Sequence, residues 1–219
     1  MNDQKMVLYS YWRSSASYRV RIALALKGID ADIHPVHLVR NGGQQLQPDY
    51  LALNPQGLVP CLVHGKIVLT QSLAIIEYLD ECFRDPPLLP GTPAERARVR
   101  MLAQTIACDI HPLNNLRVLK FLEHQAGLAP EPRTDWYRYW TETGLQAVER
   151  QLKAVPGEPD FCFGPEPGLA DCLLLPQVYN ARRFDCSLDG CDRIISICDR
   201  LAADDRIRGA RPENQPDAE

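Results

Sequence analysis

The stretch Tyr9–Gly28, YSYWRSSASYRVRIALALKG, constrains this chain more than any other part of it. Met6 to Tyr11 is mostly aliphatic and aromatic and suits a buried strand. Arg13-Ser14-Ser15 then places two hydroxyls where the N-cap of a helix belongs. Tyr18 to Leu26 are good helix formers, Lys27 falls in the last turn and Gly28 at the stop position. The start of that helix leaves backbone N–H groups and a partial positive charge, so an anion beside Ser14 and Ser15 is stabilised. Such a place suits a thiolate or a phosphate. The two serines also suit plain capping, and the stretch alone leaves both readings open.

The next residues narrow the fold. Asp32–Leu38 reads as a second short strand, and Val39–Gln45 as a loop by its Asn and Gly content. Pro48–Leu53 suits one helical turn. Asn54-Pro55-Gln56-Gly57-Leu58-Val59-Pro60 is a turn leading into Cys61–His64 and Lys66–Leu69, a hairpin joined at Gly65. Gln71-Ser72 then opens a helix over Leu73–Phe83. Strand, helix, strand, helix, strand, strand, helix within residues 6–85 is a small α/β domain, too short for a Rossmann unit and without G-x-G-x-x-G.

Four prolines and a glycine within Arg84–Pro93 mark a linker, set at 86–93. Beyond it no strand pattern recurs, and 94–219 reads as an all-helical domain. Its helices are expected over Ala94–Gly127, Thr134–Val155, Leu169–Phe184 and Cys191–Ala203, and Pro212–Glu219 is a polar tail. Leu169–Phe184 is nearly all apolar at its start and suits a buried helix, with a kink or irregular turn at Pro176.

Composition excludes several functions. A net charge of −4 argues against a nucleic-acid or membrane-surface binder. The eight cysteines form no C-x-x-C pair and do not cluster with the five histidines, so neither a disulfide scaffold nor a metal site is expected. With no signal peptide and no long apolar run, the expected location is cytoplasmic, with reduced thiols.

Taken together, these words resemble the soluble glutathione transferases, and in particular their zeta class. The resemblance rests on Tyr11-Trp12-Arg13-Ser14-Ser15, Arg19–Leu24, Asn54–Pro60 and Gln71–Leu79 in the first domain. In the second it rests on Cys108-Asp109-Ile110-His111-Pro112-Leu113-Asn114-Asn115 and Pro176–Phe184. It spans roughly residues 6 to 217. It implies an α/β thioredoxin-like N-terminal domain, an all-α C-terminal domain, glutathione as cofactor and a homodimer. It further implies a cis Val59-Pro60 bond, with the Val59 backbone pairing with the glutathione cysteinyl unit like an added strand. Gln71 and Ser72 would take the γ-glutamyl carboxylate, and Gln45 the glycyl end. Ser14 or Ser15 would donate to the sulfur and, with the helix terminus, favour the thiolate. His111 and Asn115, one turn apart, would bind glutathione or substrate.

The implied activity is cis–trans isomerisation of maleylacetoacetate to fumarylacetoacetate, with maleylpyruvate or small electrophiles as alternative substrates. The thiolate would add to the cis double bond, the resulting single bond rotate, and sulfur leave. Arg13 and Arg183 are the expected cations for the substrate carboxylates, with Arg182 adjacent and undistinguished from Arg183. Two departures stand out. Ala16 replaces the cysteine usual in the class, which puts dehalogenation in doubt, and Gly168 replaces the usual hydroxyl before Asp171.

Overall fold

The computed structural model describes residues 5–219, which divide into two compact units, residues 5–88 with 203–219, and residues 89–202. The first unit is built on a four-stranded sheet in the order β2-β1-β3-β4. β1 (Met6–Ser10) runs parallel to β2 (Asp32–Pro35) and antiparallel to β3 (Cys61–His64), which pairs with β4 (Ile67–Thr70). Helices α1 (Ser15–Leu26), α2 (Pro48–Leu53) and α3 (Ser72–Cys82) complete the expected order. Leu8 and Leu62 of the sheet, Val20, Ile22 and Ala23 of α1, and Ile75, Ile76 and Leu79 of α3 are fully buried and form its core. β2 ends earlier than Leu38, because Pro35 lacks an N–H to continue the ladder.

A buried cation fixes the end of this unit. Lys27 has no exposed side-chain surface; its Nζ donates to Asp80 Oδ1 at 2.8 Å and to the Pro86 carbonyl at 2.7 Å. The same carboxylate oxygen accepts the Leu88 N–H at 2.7 Å. One lysine at the end of α1 thus ties α3 to the chain that leaves the domain.

The chain after Ala203 requires a correction to the expected 94–219 domain, since residues 203–219 group with the first unit. Ile207 and Ala210 are buried. Arg21 Nε of α1 donates to the Ala210 carbonyl at 3.0 Å, and the Trp12 N–H donates to Asp217 Oδ2 at 3.1 Å. Most of these contacts use backbone groups and caps, so a polar tail in sequence is a packed segment in space.

The second unit contains α4 (Pro93–Gln104), α5 (Leu116–His124), α6 (Pro130–Lys153), α7 (Leu169–Arg183) and α8 (Asp192–Ala203). α4 opens with a capping box: the Glu95 N–H donates to Thr92 Oγ1, and the Thr92 N–H to Glu95 Oε2 at 2.7 Å. α7 continues without interruption through Pro176, where the sequence predicts an irregular turn. Its missing N-cap hydroxyl at Gly168 is offset by Asp171, whose carboxylate accepts the Gly168 N–H at 2.9 Å and the Cys162 N–H at 3.0 Å. Burial pushes the Asp171 carboxyl above its ordinary pKa, and these N–H groups pull it back. Glu149 does similar work for α8, accepting the N–H groups of Arg193 at 3.0 Å and Ile194 at 2.9 Å.

Between α4 and α5 the chain widens into a π-helical turn over Thr105–Ile110 and then tightens into a 3₁₀ turn over His111–Asn114. α6 holds this segment from one side. Trp136 Nε1 donates to the Leu113 carbonyl at 2.7 Å, and Asn114 Nδ2 to Thr141 Oγ1 at 3.1 Å. Gly144 lets the two approach: a Cβ there would lie 2.4 Å from Ile110 Cγ1, inside the van der Waals limit. Gly144→Ala should therefore lower stability by about 1–3 kcal/mol through overpacking, measured as a drop in the urea midpoint. An unchanged midpoint would mean that the turn yields without cost.

Candidate active site

The register of the sheet gathers the candidate residues of the first unit. Tyr9 pairs with Cys61, Cys61 pairs with Thr70, and Ser10 lies beside Pro35. The exits of β1, β2 and β4 and the entry to β3 therefore share one end of the sheet. From that end leave Tyr11–Ser15, the loop toward Gln45, Val59-Pro60 and Gln71-Ser72. Four segments far apart in sequence meet because neighbouring strands place them there.

Ser14 is the N-cap of α1, with extended backbone, and its Oγ accepts the Ser17 N–H at 3.2 Å. A hydroxyl carries one donor besides its acceptor lone pairs, so capping leaves the Ser14 proton available to an anion. No acidic residue occupies the first turn to cancel the helix's positive end. Ser15 is buried in that turn, whereas Ser14 is only half-buried. Exposure thus separates two serines that the sequence could not. Arg13 folds back on the preceding residues, its guanidinium 4.7 Å from the Trp12 ring and its Nη2 donating to Tyr11 Oη at 3.2 Å.

Val59-Pro60 is cis, as the resemblance implies. The carbonyl just before it is held twice, by Tyr50 Oη at 2.6 Å and Asn54 Nδ2 at 2.7 Å, both donating to Leu58 O. Gln71 stands at φ +69° and ψ +114°, a conformation that L-residues rarely adopt and that costs on the order of 1–3 kcal/mol. Its side chain makes no cap hydrogen bond and instead donates to Gln56 Oε1 at 3.0 Å. Ser72, at the first helical position, is buried, and its Oγ accepts from Arg19 Nη1 at 3.2 Å. Gln45 is buried, its Nε2 donating to the Leu38 carbonyl at 3.3 Å with a second amide proton to spare.

The buried arginines of α1 went unassigned in the sequence reading. Arg19 is buried over its whole length, and it reaches Ser72 across 53 residues of sequence. Arg21 holds the loop after β1: Nη1 donates to Ser10 Oγ at 2.9 Å and the Tyr11 carbonyl at 3.3 Å, and Nη2 to the Trp12 carbonyl at 2.9 Å. Their signal was present in sequence. Two cations inside an apolar helical run are affordable only when each is hydrogen-bonded.

In the second unit His111 and Asn115 share a face, with Asn115 Nδ2 3.5 Å from His111 Nε2. Asn115 also caps α5 by accepting the Arg117 N–H at 3.1 Å. At the end of α7 both arginines are exposed; Arg182 Nη2 lies 3.4 Å from Asp199 Oδ1, and the Arg183 guanidinium 4.6 Å from the Phe184 ring. Phe184 in turn stacks on Tyr137 with ring centroids 3.9 Å apart.

None of the perturbed cysteines is poised as a nucleophile. Burial pushes the thiols of Cys61 and Cys186 up to about 11, and those of Cys162 and Cys198 up as well. Position 16, in the first turn of α1, is alanine. A thiolate at the helix start has to arrive with a ligand.

Comparison with known proteins agrees with this geometry. The family described as glutathione S-transferase, N-terminal domain, matches residues 13–82. The chain is 51% identical over 213 residues to the maleylacetoacetate isomerase of Pseudomonas aeruginosa, covering 97% of this chain and 98% of that one. It is 48% identical, over the same shares, to a probable maleylacetoacetate isomerase of Vibrio cholerae. Among solved structures, a holo maleylpyruvate isomerase described as a bacterial glutathione S-transferase of the zeta class superposes with a TM-score of 0.93 at 42% identity, covering 97% and 99% of the two chains. A maleylacetoacetate isomerase from Methylobacterium extorquens, with bound malonate and glutathione, superposes with a TM-score of 0.92 at 41% identity, again covering 97% and 99%. A sheet end that gathers a Ser-capped helix start, a cis Val-Pro and the Gln71-Ser72 opening of α3, within relatives this close, makes the chain a member of the zeta-class glutathione transferases.

Proposed function

We propose that the protein is a glutathione-dependent cis–trans isomerase that converts maleylacetoacetate to fumarylacetoacetate. The observation that carries the reading is the start of α1, where the half-buried Ser14 hydroxyl stands at a helix terminus with no acidic residue in its first turn. When bound, glutathione supplies the thiol whose reversible addition turns the cis double bond into a single bond free to rotate. The residues present fit it. Ser14 and the α1 N–H groups favour the thiolate over the thiol. Val59 offers its backbone to the cysteinyl unit, while Gln71 and the Arg19-held Ser72 hydroxyl face the γ-glutamyl carboxylate. Gln45 serves the glycyl end. His111 and Asn115 are further candidates for binding glutathione or substrate.

Arg13 and Arg183 take the substrate carboxylates and draw negative charge away from the reacting centre. Arg182, whose Nη2 lies 3.4 Å from Asp199 Oδ1, is the alternative to Arg183. Arg183→Ala should raise KM for the keto-acid about tenfold or more with little change in KM for glutathione, as a charge-assisted pair is worth about 1.5–3 kcal/mol. Equal effects on both constants would remove Arg183 from this role.

The deciding assay follows ultraviolet absorbance of maleylacetoacetate, and separately of maleylpyruvate, with and without glutathione. Glutathione-dependent loss of the cis keto-acid supports the reading, and the faster substrate names the enzyme. A maleylpyruvate isomerase of Ralstonia, 43% identical to this chain, keeps that second substrate in view. The protein is further proposed to act in the cytoplasm as a homodimer. Exposed Ile67 and Val68 on the edge strand β4 supply apolar surface for a second copy, and sedimentation at micromolar concentration would test it.

A further inference from the structure

The segment after Ala203 reaches both loops that the proposed glutathione site depends on in the first unit. The Asp217 carboxylate accepts the Trp12 N–H at 3.1 Å, two residues before Ser14. Glu219 Oε1 lies 3.0 Å from His37 Nε2 and 2.5 Å from Arg40 Nη2. His37 begins the loop that ends at Gln45. Its N–H donates to Gln44 Oε1 at 2.7 Å, and the Gln44 N–H donates back to the His37 carbonyl at 2.8 Å. The same ring packs edge-on against Tyr11, with centroids 4.9 Å apart.

The state of the His37 ring follows from its neighbours. Nδ1 faces two backbone N–H groups, of Val39 at 3.1 Å and Arg40 at 2.8 Å, which can only donate. Nδ1 is therefore an acceptor, the ring proton sits on Nε2, and it donates to Glu219. The backbone of residues 37–40 is thus folded around a ring that Glu219 holds in one orientation. The segment itself is anchored by Arg21 on the Ala210 carbonyl and by Gln215 Nε2, which donates to the carbonyls of Gly209 and Arg211, each at 2.8 Å.

We propose that Asp217 and Glu219 are positioning residues for glutathione, holding the Trp12–Ser14 turn and the His37–Gln45 loop at the spacing that the tripeptide spans. This rests on the reading that this end of the sheet binds glutathione. The two contacts differ in weight. Arg40–Glu219 is largely exposed and screened, so by itself it contributes little. Asp217, in contrast, accepts a main-chain N–H directly beside the thiolate turn, and misplacement there is costly.

The test is calorimetric titration of the full-length protein with glutathione, beside KM and kcat for the keto-acid. Asp217→Ala should weaken glutathione binding about tenfold and Glu219→Ala about threefold, with KM for the keto-acid moved less than about twofold. Asp217→Asn, which retains an acceptor for the Trp12 N–H, should restore most of the affinity. Unchanged glutathione affinity in Asp217→Ala would overturn the proposal. So would equal loosening of both substrates with a lowered Tm and no recovery in Asp217→Asn, which marks a general structural role. Failure of the unmutated protein to bind glutathione would instead overturn the underlying site.

Discussion

Ser14→Ala should lower glutathione-dependent turnover about 100-fold at neutral pH, the scale seen when one preorganised donor to a developing or resting anion is removed. Binding of glutathione itself should change little, because the γ-glutamyl, cysteinyl and glycyl contacts lie on other segments. The ultraviolet absorbance of bound thiolate should move to higher pH, since the anion loses a donor while the neutral thiol loses little. Stability should fall by about 1 kcal/mol, because Ser14 also caps α1 through the Ser17 N–H. Ser14→Thr, which preserves both cap and hydroxyl, controls for that loss. Ser15→Ala should disturb the buried first turn without the same shift in thiolate titration. A thiolate shift in Ser15→Ala but not in Ser14→Ala would reverse the assignment.

Lys27→Met should destabilise the protein by about 3–5 kcal/mol, the range for removing one partner of a buried ion pair. The fully buried ammonium serves Asp80 and the Pro86 carbonyl together, so the variant strands a carboxylate and a carbonyl at once. Converting Asp80 to Leu in addition should recover only part of the loss. An apolar pair can replace an ionic one, but the Leu88 N–H would then lose its acceptor. Guanidinium unfolding of the two variants gives both numbers. A double variant as stable as the parent would show that the Leu88 N–H finds water instead.

Local chemistry was legible in the sequence, and chemistry assembled from distant residues was not. The hydroxyl at the start of α1, the turn into Val59-Pro60 and the Gln71-Ser72 opening are each written within a few consecutive residues, and they stand where the sequence places them. The Arg19–Ser72 contact joins residues 53 apart, and Trp12–Asp217 joins residues 205 apart. No periodicity reports such pairs. Arg19 and Arg21 read as ordinary helix formers, because propensity says nothing about whether an arginine is buried. The tail Pro212–Glu219 looks solvated by its prolines and charges, yet Pro212 and Gln215 are buried and Asp217 reaches the Trp12 N–H. The choice between Ser14 and Ser15 turns on which of the two is buried, and adjacent residues differ in that only in three dimensions.

The β3–β4 hairpin turns at Gly65-Lys66, with Gly65 at φ +60° as the first central residue of a two-residue loop requires. His64 pairs with Ile67 there, whereas Cys61 pairs with Thr70 at the other end, so the tip lies about 10 Å of strand away from the thiolate turn. Gly65 and Lys66 are both exposed. A short peptide handle spliced between them would tether the protein to a support by the end of the sheet opposite the thiolate turn, so that the support and the loops of that turn do not compete for the same end of the strands.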